Sequence, residues 1–339
     1  MKNKIQEYLL ELIHPELNQK FILEKNIKSI IDNNDGINIS IELNFPYKSQ
    51  EILYEKIIKD GLKKITDLNI TIKWSLKILS RQAQKGVNSI KGVKNIIAIA
   101  SGKGGVGKSS TAANLALALS SEGANVGILD ADIYGPSQPK MLGISQKPKS
   151  KDGKSMEPVM IHDIQIMSIG FLVDQETPMV WRGPMVTSTL EQLLKETNWD
   201  NLDYLIIDLP PGTGDIQLTL AQKIPVTGAI IVTTPQDIAL LDARRGLKMF
   251  EKVNIPILGI VENMSTHICS NCNHEEHIFG KDGGEKMCAD YDTELLGSLP
   301  LDINIRQDLD DGTPTVIKDP KSKISEMYRL IARKSALKV

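Results

Sequence analysis

Residues 96–116 read IIAIASGKGGVGKSSTAANLA, and this stretch decides the fold. The five apolar residues 96–100 predict a buried strand, the glycine-rich segment predicts a turn, and the residues from Ser109 onward open a helix. Gly102, four further residues and then Gly107-Lys108-Ser109 match the pattern G-x(4)-G-K-[ST]. In that pattern, backbone N–H groups surround phosphate oxygens at the amino terminus of a helix. The segment therefore predicts a phosphate-binding loop rather than a turn that binds nothing.

Each position of this loop has a predicted role in binding ATP. Lys108 is expected to reach the outer phosphates, and the hydroxyl of Ser109 is expected to bind Mg²⁺. The other predicted ATP contacts from the same loop are Gly102, Lys103, Gly104, Gly105, Val106, Gly107 and Ser110.

Carboxylates follow two further apolar runs. Asp208 comes directly after the run 204–207, and Asp130 and Asp132 follow the run 126–129. A carboxylate at the carboxyl end of a strand can order Mg²⁺ beside a phosphate loop. We therefore predict that Asp208 binds magnesium, that Asp132 faces the attacking water as a catalytic residue, and that Asp130 is structural.

The pattern of apolar runs predicts an α/β fold for residues 95–339. Short apolar runs alternate with helix-length segments, which indicates a mainly parallel sheet covered by helices on both faces. The runs are Ile96–Ala100, Val126–Leu129, Tyr204–Ile207, Ala229–Val232, Ile257–Val261 and Leu295–Leu299. Residues 1–78 combine a strand-like run with an amphipathic helix, which predicts a small α+β domain. The polar, basic segment 79–94 is the expected linker.

Composition excludes several classes of protein. The chain has 339 residues and a net charge of −2, so it lacks the basic footprint of a nucleic-acid-binding protein. It has no apolar run of about 18 residues that would suggest a membrane span. Glutamates interrupt the first 19 residues, which is not typical of a signal or transit peptide. The cytoplasm is the expected location.

Three cysteines lie in one short stretch, which argues against a disulfide framework. Cys269 and Cys272 form a C-x-x-C pair, which supplies half of a four-ligand shell. A second subunit with the same pair would complete a [4Fe-4S] cluster on a two-fold axis. A local zinc site is the alternative that residue types alone favour, and its further ligands would come from His267, His274, His277 or Cys288. Cys288 otherwise fits a small buried side chain.

Several strings resemble the Mrp/ApbC family of iron-sulfur cluster carrier ATPases. They are KGGVGKS at 103–109, LDADIYGPS at 129–137, WRGPM at 181–185, DLPPGTGD at 208–215 and VENM at 261–264. The likeness covers about residues 92–335. Its wider group contains the MinD and ParA positioning ATPases and nitrogenase iron protein.

The resemblance implies a role for each matching residue. Lys103 corresponds to the lysine of a deviant Walker A motif, which crosses a dimer interface to the partner's nucleotide and acts as an arginine finger does. Asp132 is implied as the first-switch aspartate and Asp208 as the Walker B residue. Cys269 and Cys272 are implied as cluster ligands, which reverses the preference for zinc. The implied activity is a slow, dimer-dependent ATP hydrolase that delivers clusters to apo iron-sulfur proteins together with assembly factors.

Three further features carry predictions. Asn263 follows a strand end, where it is expected to hydrogen-bond an adenine that Arg306 would border. Residues 14–17, HPEL, stand where the family's first domain commonly has Asp-Pro-Glu, and that domain is expected to dock a partner. A positioning ATPase is the alternative function, because Ile324–Ile331 is amphipathic and has basic neighbours that could lie on a membrane.

Overall fold

The computed structural model describes residues 1–33, 36–81, 87–172, 183–269, 271–272 and 274–339. The chain divides into two compact units. The first contains Met1–Leu79 and Ser121–Gly123, and the second contains Ser80–Ser120 and Ala124–Val339.

The first unit is a small α+β structure. Its elements in chain order are α1 (Lys2–Glu11), β1 (Ile27–Asn33), β2 (Gly36–Leu43), α2 (Glu51–Leu62) and β3 (Ile70–Leu76). Strand β2 pairs antiparallel with β1 and parallel with β3. Alternate residues of β2 are buried because successive side chains of a strand point to opposite faces. The buried residues of β2 and α2 include Ile37, Ile39, Ile41, Leu43, Tyr54, Ile58 and Leu62.

His14 organises the HPEL turn of this unit. Its Nδ1 accepts the backbone N–H groups of Glu16 at 3.1 Å and Leu17 at 3.2 Å. Its Nε2 lies 2.5 Å from the hydroxyl of Tyr54. An aspartate side chain accepts backbone N–H groups two or three residues ahead in the same way. His14 therefore takes over the turn-forming role that an aspartate would have at this position.

The second unit is built on an eight-stranded sheet with the order β13-β10-β9-β4-β8-β5-β7-β6. Neighbouring strands are parallel except β6, which runs antiparallel to β7. The strands of this unit, including the hairpin β11–β12, are β4 (Val93–Ala100), β5 (Val126–Asp130), β6 (Val159–Ile161), β7 (Ile164–Ser168), β8 (Leu202–Asp208), β9 (Gly228–Thr233), β10 (Ile257–Glu262), β11 (His267–Ile268), β12 (Glu275–Glu276) and β13 (Leu295–Ser298).

Helices flank this sheet. They are α3 (Lys108–Ser121), α4 (Gln138–Met141), α5 (Gly183–Glu196), α6 (Asp215–Lys223), α7 (Asp237–Lys252), α8 (Gly283–Asp290), α9 (Ile303–Asp310), α10 (Thr315–Lys318) and α11 (Lys323–Lys338). Strand β8 is buried along its whole length, as expected for a strand covered on both faces. The predicted α/β fold with a mainly parallel sheet is confirmed, and all six predicted runs form strands.

The parallel order brings the ligand-binding loops together. Strand β4 lies between β8 and β9, and β5 lies beside β8. Their carboxyl ends meet at one edge of the sheet, which is where open α/β sheets bind ligands. The phosphate loop, Asp132 and Asp208 therefore share this edge.

Two sequence expectations differ from the structure, and one quoted string lies partly outside the described residues. Strand β4 begins at Val93, inside the segment 79–94 that we expected to be a linker, because Val93 pairs with Leu202 of β8. Residues 121–123 group with the first unit instead of the second. Residues 181–182 of the WRGPM string lie outside the described residues, and its last three residues begin α5.

The carboxyl-terminal amphipathic segment is part of a packed helix. Helix α11 contacts β10 and β13, and its Tyr328 and Ile331 are buried. Tyr328 and Ile331 are therefore packed inside the second unit, whereas Met327 of the same segment is exposed. Among the described residues, no helix is both long enough and apolar enough to cross a membrane.

Candidate nucleotide site and cysteine hairpin

The phosphate loop connects β4 to α3, and three of its glycines are explained by a positive φ angle or by close packing. Gly105 and Gly107 both have φ +82°, a conformation that glycine adopts without strain. A Cβ atom at Gly102 would overlap the backbone of Asp242 in α7. One at Gly107 would overlap the side-chain amide of Asn263. The loop is thus packed between α7 and the residues that follow β10.

The predicted phosphate and magnesium residues form one buried cluster. The Nζ of Lys108 lies 2.5 Å from Oδ1 of Asp208 and 3.8 Å from Oδ2 of Asp132. It also lies 3.2 Å from the Oγ of Ser109. Lys108 is 6% exposed and Asp208 is fully buried. The structure therefore brings together Lys108, Ser109, Asp132 and Asp208, which the sequence analysis took from three separate motifs.

Gln138 joins this cluster, and sequence reasoning missed it. Its Nε2 donates to Oδ2 of Asp208 at 2.9 Å and to the carbonyl oxygen of Ser109 at 3.0 Å. Its backbone N–H donates to Oδ2 of Asp130 at 3.1 Å. The available signal was its place at the end of the loop that follows Asp132. The residues around Gln138 show no apolar period that would predict the burial of its side chain.

The two aspartates after β5 have different environments. Asp130 is fully buried, and its carboxylate accepts hydrogen bonds from the N–H of Asp132 and the hydroxyl of Ser168. Burial raises the pKa of Asp130 to about 7, and repulsion by Asp208 adds to this rise. Burial also raises the pKa of Asp132, while the charge of Lys108 opposes the change. Both carboxyl groups are thus sensitive to the charge that occupies the site.

A cavity of about 350 Å³ lies beside the phosphate loop. Asn263 borders it, and its Nδ2 donates to the carbonyl oxygen of Val106 at 2.9 Å. This bond fixes the orientation of the amide against the phosphate loop. Arg306 also lines the cavity, where its guanidinium pairs with Asp310 at 2.7 Å. Other residues of the lining are Gly107, Ser110, Met264, Pro300 and Leu301.

Lys103 lies at the open side of the loop. Its side chain is partly exposed, and its Nζ lies 3.5 Å from Oε1 of Gln236, just before α7. The neighbouring Gly104 and Gly105 are exposed, and a Cβ built at either has no atom of another described part of the chain within 4 Å. A second molecule can therefore approach this side of the phosphate loop.

Cys269 and Cys272 lie at the end of the two-stranded hairpin formed by β11 and β12. The backbone N–H of Cys269 donates to the carbonyl oxygen of His274 at 2.9 Å. Cys269 is partly exposed and Cys272 is exposed. Hydrogen bonds from the backbone N–H groups of Asn271 and Cys272, and from the Cys272 thiol, lower the pKa of Cys269. By contrast, burial raises the pKa of Cys288 in α8 to about 11.

The nearby histidines do not complete a local metal site. His267 Nδ1 lies 3.1 Å from the carbonyl oxygen of Leu301, and His277 Nδ1 lies 3.0 Å from that of Ser265. His274 is exposed and lies 3.7 Å from Glu276. Within the described part of the chain, no three Cys, His, Asp or Glu side chains are close enough to hold a metal ion. The local zinc alternative therefore lacks a third ligand in this structure.

Comparison with known proteins identifies the family. The family of NUBPL iron-transfer P-loop NTPases, of the ParA type, matches residues 92–336. The chain belongs to this family. The iron-sulfur cluster carrier protein of Haemophilus influenzae is 51% identical to this iron-transfer NTPase over 336 residues, which are 98% of the chain and 90% of that protein. The predicted resemblance to iron-sulfur carrier P-loop ATPases is confirmed.

Solved structures share this fold, and one of them contains a nucleotide. A nucleotide-binding protein from Archaeoglobus fulgidus, in complex with ADP and with cobalt, is 35% identical to this NTPase with a TM-score of 0.61. The match covers 69% of this chain and 92% of that one. The cell division ATPase MinD from Pyrococcus furiosus is 23% identical, with a TM-score of 0.54 over 71% of this chain and 97% of its own. At that identity, MinD shares the fold alone.

Proposed function

We propose that this NTPase is an ATP-hydrolysing carrier that holds a [4Fe-4S] cluster between two subunits and transfers it to apo-proteins. The incomplete ligand shell at Cys269 and Cys272 carries this proposal. Two thiols stand at the end of a hairpin, and the described residues add no third ligand. A second copy of the same pair supplies the four thiolates that such a cluster needs. The iron-sulfur carrier from Haemophilus influenzae, 51% identical, supports the assignment.

The exposure of the thiols suits a cluster that is transferred to another protein. Cys272 is exposed, so the thiolates of an acceptor protein can approach the cluster from solvent. The lowered pKa of Cys269 favours the thiolate, which is the form that binds iron. We propose apo iron-sulfur proteins and assembly factors as partners and the cytoplasm as the location.

The nucleotide site suits ATP with magnesium. The hydroxyl of Ser109 and the carboxylate of Asp208 are hard oxygen donors beside each other in one cluster, so they fit Mg²⁺ and would hold it. When bound, Mg²⁺ supplies charge stabilisation to phosphate oxygens. Lys108 binds the outer phosphates, and Asp132 accepts a hydrogen bond from the attacking water. Asn263 borders the adenine in the adjoining cavity.

Lys103 makes hydrolysis depend on a dimer in this proposal. Its side chain stands at the open side of the loop, from which it reaches the nucleotide of a second subunit. Each site is then incomplete until two subunits meet, so we expect hydrolysis to be slow. The homodimer that completes the catalytic site also pairs the cysteines.

Anaerobic reconstitution with ferrous iron and sulfide tests the carrier function. The wild-type protein is expected to bind one cluster per dimer. The double variant Cys269→Ala, Cys272→Ala should bind none, whereas Cys288→Ala, which changes the buried cysteine of α8, should bind as the wild type does. Persistent iron and sulfide in the double variant would contradict the site. Zinc in wild-type protein purified without air would favour a structural zinc instead.

The positioning-ATPase alternative has less support. The likeness to MinD extends to the fold alone, and α11 buries Tyr328 and Ile331, two of the apolar residues that would have to meet a membrane. ATP-dependent sedimentation with liposomes would reverse this preference.

A further inference from the structure

Two backbone segments, residues 262–266 after β10 and residues 299–301 after β13, join the nucleotide cavity to the cysteine hairpin. Leu299 N–H donates to the carbonyl oxygen of Glu262 at 2.8 Å, and Ser265 N–H donates to that of Leu299 at 2.9 Å. Leu301 N–H then donates to the carbonyl oxygen of Thr266 at 2.7 Å. These bonds extend the parallel pairing of β10 and β13 as far as Thr266, the residue directly before the hairpin. The wall of the cavity and the base of the hairpin are therefore one hydrogen-bonded structure.

Leu301 belongs to both sites. It lines the cavity of about 350 Å³ together with Asn263, and its carbonyl oxygen lies 3.1 Å from Nδ1 of His267. A carbonyl oxygen only accepts hydrogen bonds, so in this bond the Nδ1 of His267 carries the hydrogen atom and is the donor. Cys269 is two residues further along the chain. One hydrogen bond thus connects the cavity wall to β11, the strand that directly precedes the first thiol.

The second strand of the hairpin is anchored in a similar way. His277 follows β12, and its Nδ1 lies 3.0 Å from the carbonyl oxygen of Ser265. His274, which lies between the two strands, is exposed at 67% of its side chain and approaches Glu276 at 3.7 Å. His267 and His277 therefore connect the hairpin to the body of the protein, whereas His274 faces solvent.

We propose that His267 is a positioning residue that couples occupancy of the cavity to the arrangement of Cys269 and Cys272. A base that packs against Leu301 fixes the carbonyl oxygen to which His267 donates, and His267 passes this constraint to β11. The proposal rests on the proposed function in assigning the nucleotide base to this cavity. The coupling is reciprocal, so a ligand on the thiols also changes the affinity for nucleotide.

Thiol alkylation in the metal-free protein tests this coupling without a cluster. The rates at which iodoacetamide modifies Cys269 and Cys272 are measured by peptide mass spectrometry, with and without saturating ADP and Mg²⁺. In wild type we expect ADP to change the rate at Cys269 by about fivefold, the lower end of typical coupling between sites. Pyrophosphate with Mg²⁺ occupies the phosphate loop but not the cavity, and it should leave the rate unchanged.

Variants of the histidines identify the residue that transmits the effect. His267→Ala should abolish the response to ADP, because the donor to Leu301 is gone. His267→Asn should keep the response, because its amide nitrogen takes the place of Nδ1. His274→Ala is the matched control in the same hairpin and should respond as the wild type does. A hairpin that merely unfolds in His267→Ala would raise the rate without nucleotide, and the Asn variant separates that effect from lost coupling.

Several results would overturn the inference. These are an unchanged ADP response in His267→Ala, a lost response in His267→Asn, no response in wild type, or a full response to pyrophosphate alone. Failure of the proposed function would look different. In that case, reconstitution would give no cysteine-dependent cluster, while the alkylation rates of the metal-free protein would still report the coupling.

Discussion

The side-chain amide of Gln138 donates a hydrogen bond to Oδ2 of Asp208 at 2.9 Å, 70 residues away in the chain. The same nitrogen lies 3.0 Å from the carbonyl oxygen of Ser109. One buried side chain thus holds α4, the start of α3 and the end of β8 in a fixed arrangement. The Oε1 of Gln138 is buried and has no hydrogen-bond partner among the described residues.

Replacing Gln138 should impair hydrolysis. In Gln138→Leu, Asp208 loses a buried donor, and a lost hydrogen bond to a charged group is worth about 1.5–3 kcal/mol. We expect kcat to fall about tenfold or more and the Mg²⁺ concentration needed for tight nucleotide binding to rise. Steady-state kinetics and nucleotide titrations at several Mg²⁺ concentrations measure both effects. Gln192→Leu makes the same change on the exposed face of α5. An equal loss of kcat in that variant would show that Gln138 has no special role.

Lys103→Ala should bind ATP but hydrolyse it slowly. Removal of a finger residue reduces the rate by about 10³-fold or more, and Lys147→Ala, at an exposed loop position, should have no such effect. Mixing Lys103→Ala with Lys108→Ala provides a sharper experiment. In a mixed dimer, the Lys103→Ala subunit keeps Lys108 and therefore binds nucleotide. It receives Lys103 from the Lys108→Ala subunit. Phosphate release should therefore exceed the sum of the separate variants, and a merely additive rate would contradict action across the interface.

Asp130 should make the stability of the nucleotide-free protein depend on pH. The ordinary pKa of this group is 3.8, and in the folded protein it rises to about 7. Between these values the folded chain binds a proton that the unfolded chain does not. The free energy of unfolding therefore falls as the pH rises through this window. Urea unfolding at about pH 5 and about pH 8 should show a weaker pH dependence in Asp130→Asn, because asparagine does not ionise. Parallel pH profiles for the two proteins would refute the prediction.

The cysteines should differ in reactivity without nucleotide or metal. Hydrogen bonds lower the pKa of Cys269, whereas burial raises the pKa of Cys288 to about 11. Because the thiolate is the nucleophile, iodoacetamide at about pH 8 should modify Cys269 well before Cys288. Peptide mass spectrometry over a time course measures the order. Equal rates at the two positions would show that α8 opens readily.

Gly107→Ala should destabilise the phosphate loop. The residue has φ +82°, and its Cβ would overlap the amide of Asn263. Together these effects should lower the free energy of unfolding by about 1–3 kcal/mol and weaken nucleotide binding strongly. The new methyl group in Gly104→Ala has no neighbour within 4 Å among the described residues, so this variant should change stability by less than about 1 kcal/mol. Thermal unfolding of both variants compares them, and similar losses would argue against the close packing of Asn263 on Gly107.

The sequence predicts the central strands and the phosphate loop because their signals are local. Strand β4, the glycines and Lys108 are consecutive, and each apolar run of the sheet is long enough to recognise. Strands β6 and β7 were not predicted, since β6 has three residues and the two lie at the edge of the sheet. The polar loop before β6 also shows no clear apolar period that would have indicated this pair of strands.

The missing parts of the site depend on contacts between distant residues. Gln138 becomes a donor to Asp208 only because β5 lies beside β8. His267 is 34 residues from Leu301 in the chain, and no local pattern connects them. Residue types alone favoured zinc at the cysteine pair, since histidines crowd that segment. The Nδ1 atoms of His267 and His277 bond to backbone carbonyl groups instead, and His274 faces solvent, which only the folded chain reveals.

Because Lys108 pairs with Asp208 and Asp132, a cation that enters the site must replace Lys108 beside these carboxylates. Lys108 is the counter-ion of both carboxylates, and buried negative charge without a counter-ion costs several kcal/mol. Lys108 can therefore turn toward a phosphate group only when another cation takes its place. We expect nucleotide and divalent cation to enter together, so that the lysine is released as its replacement arrives.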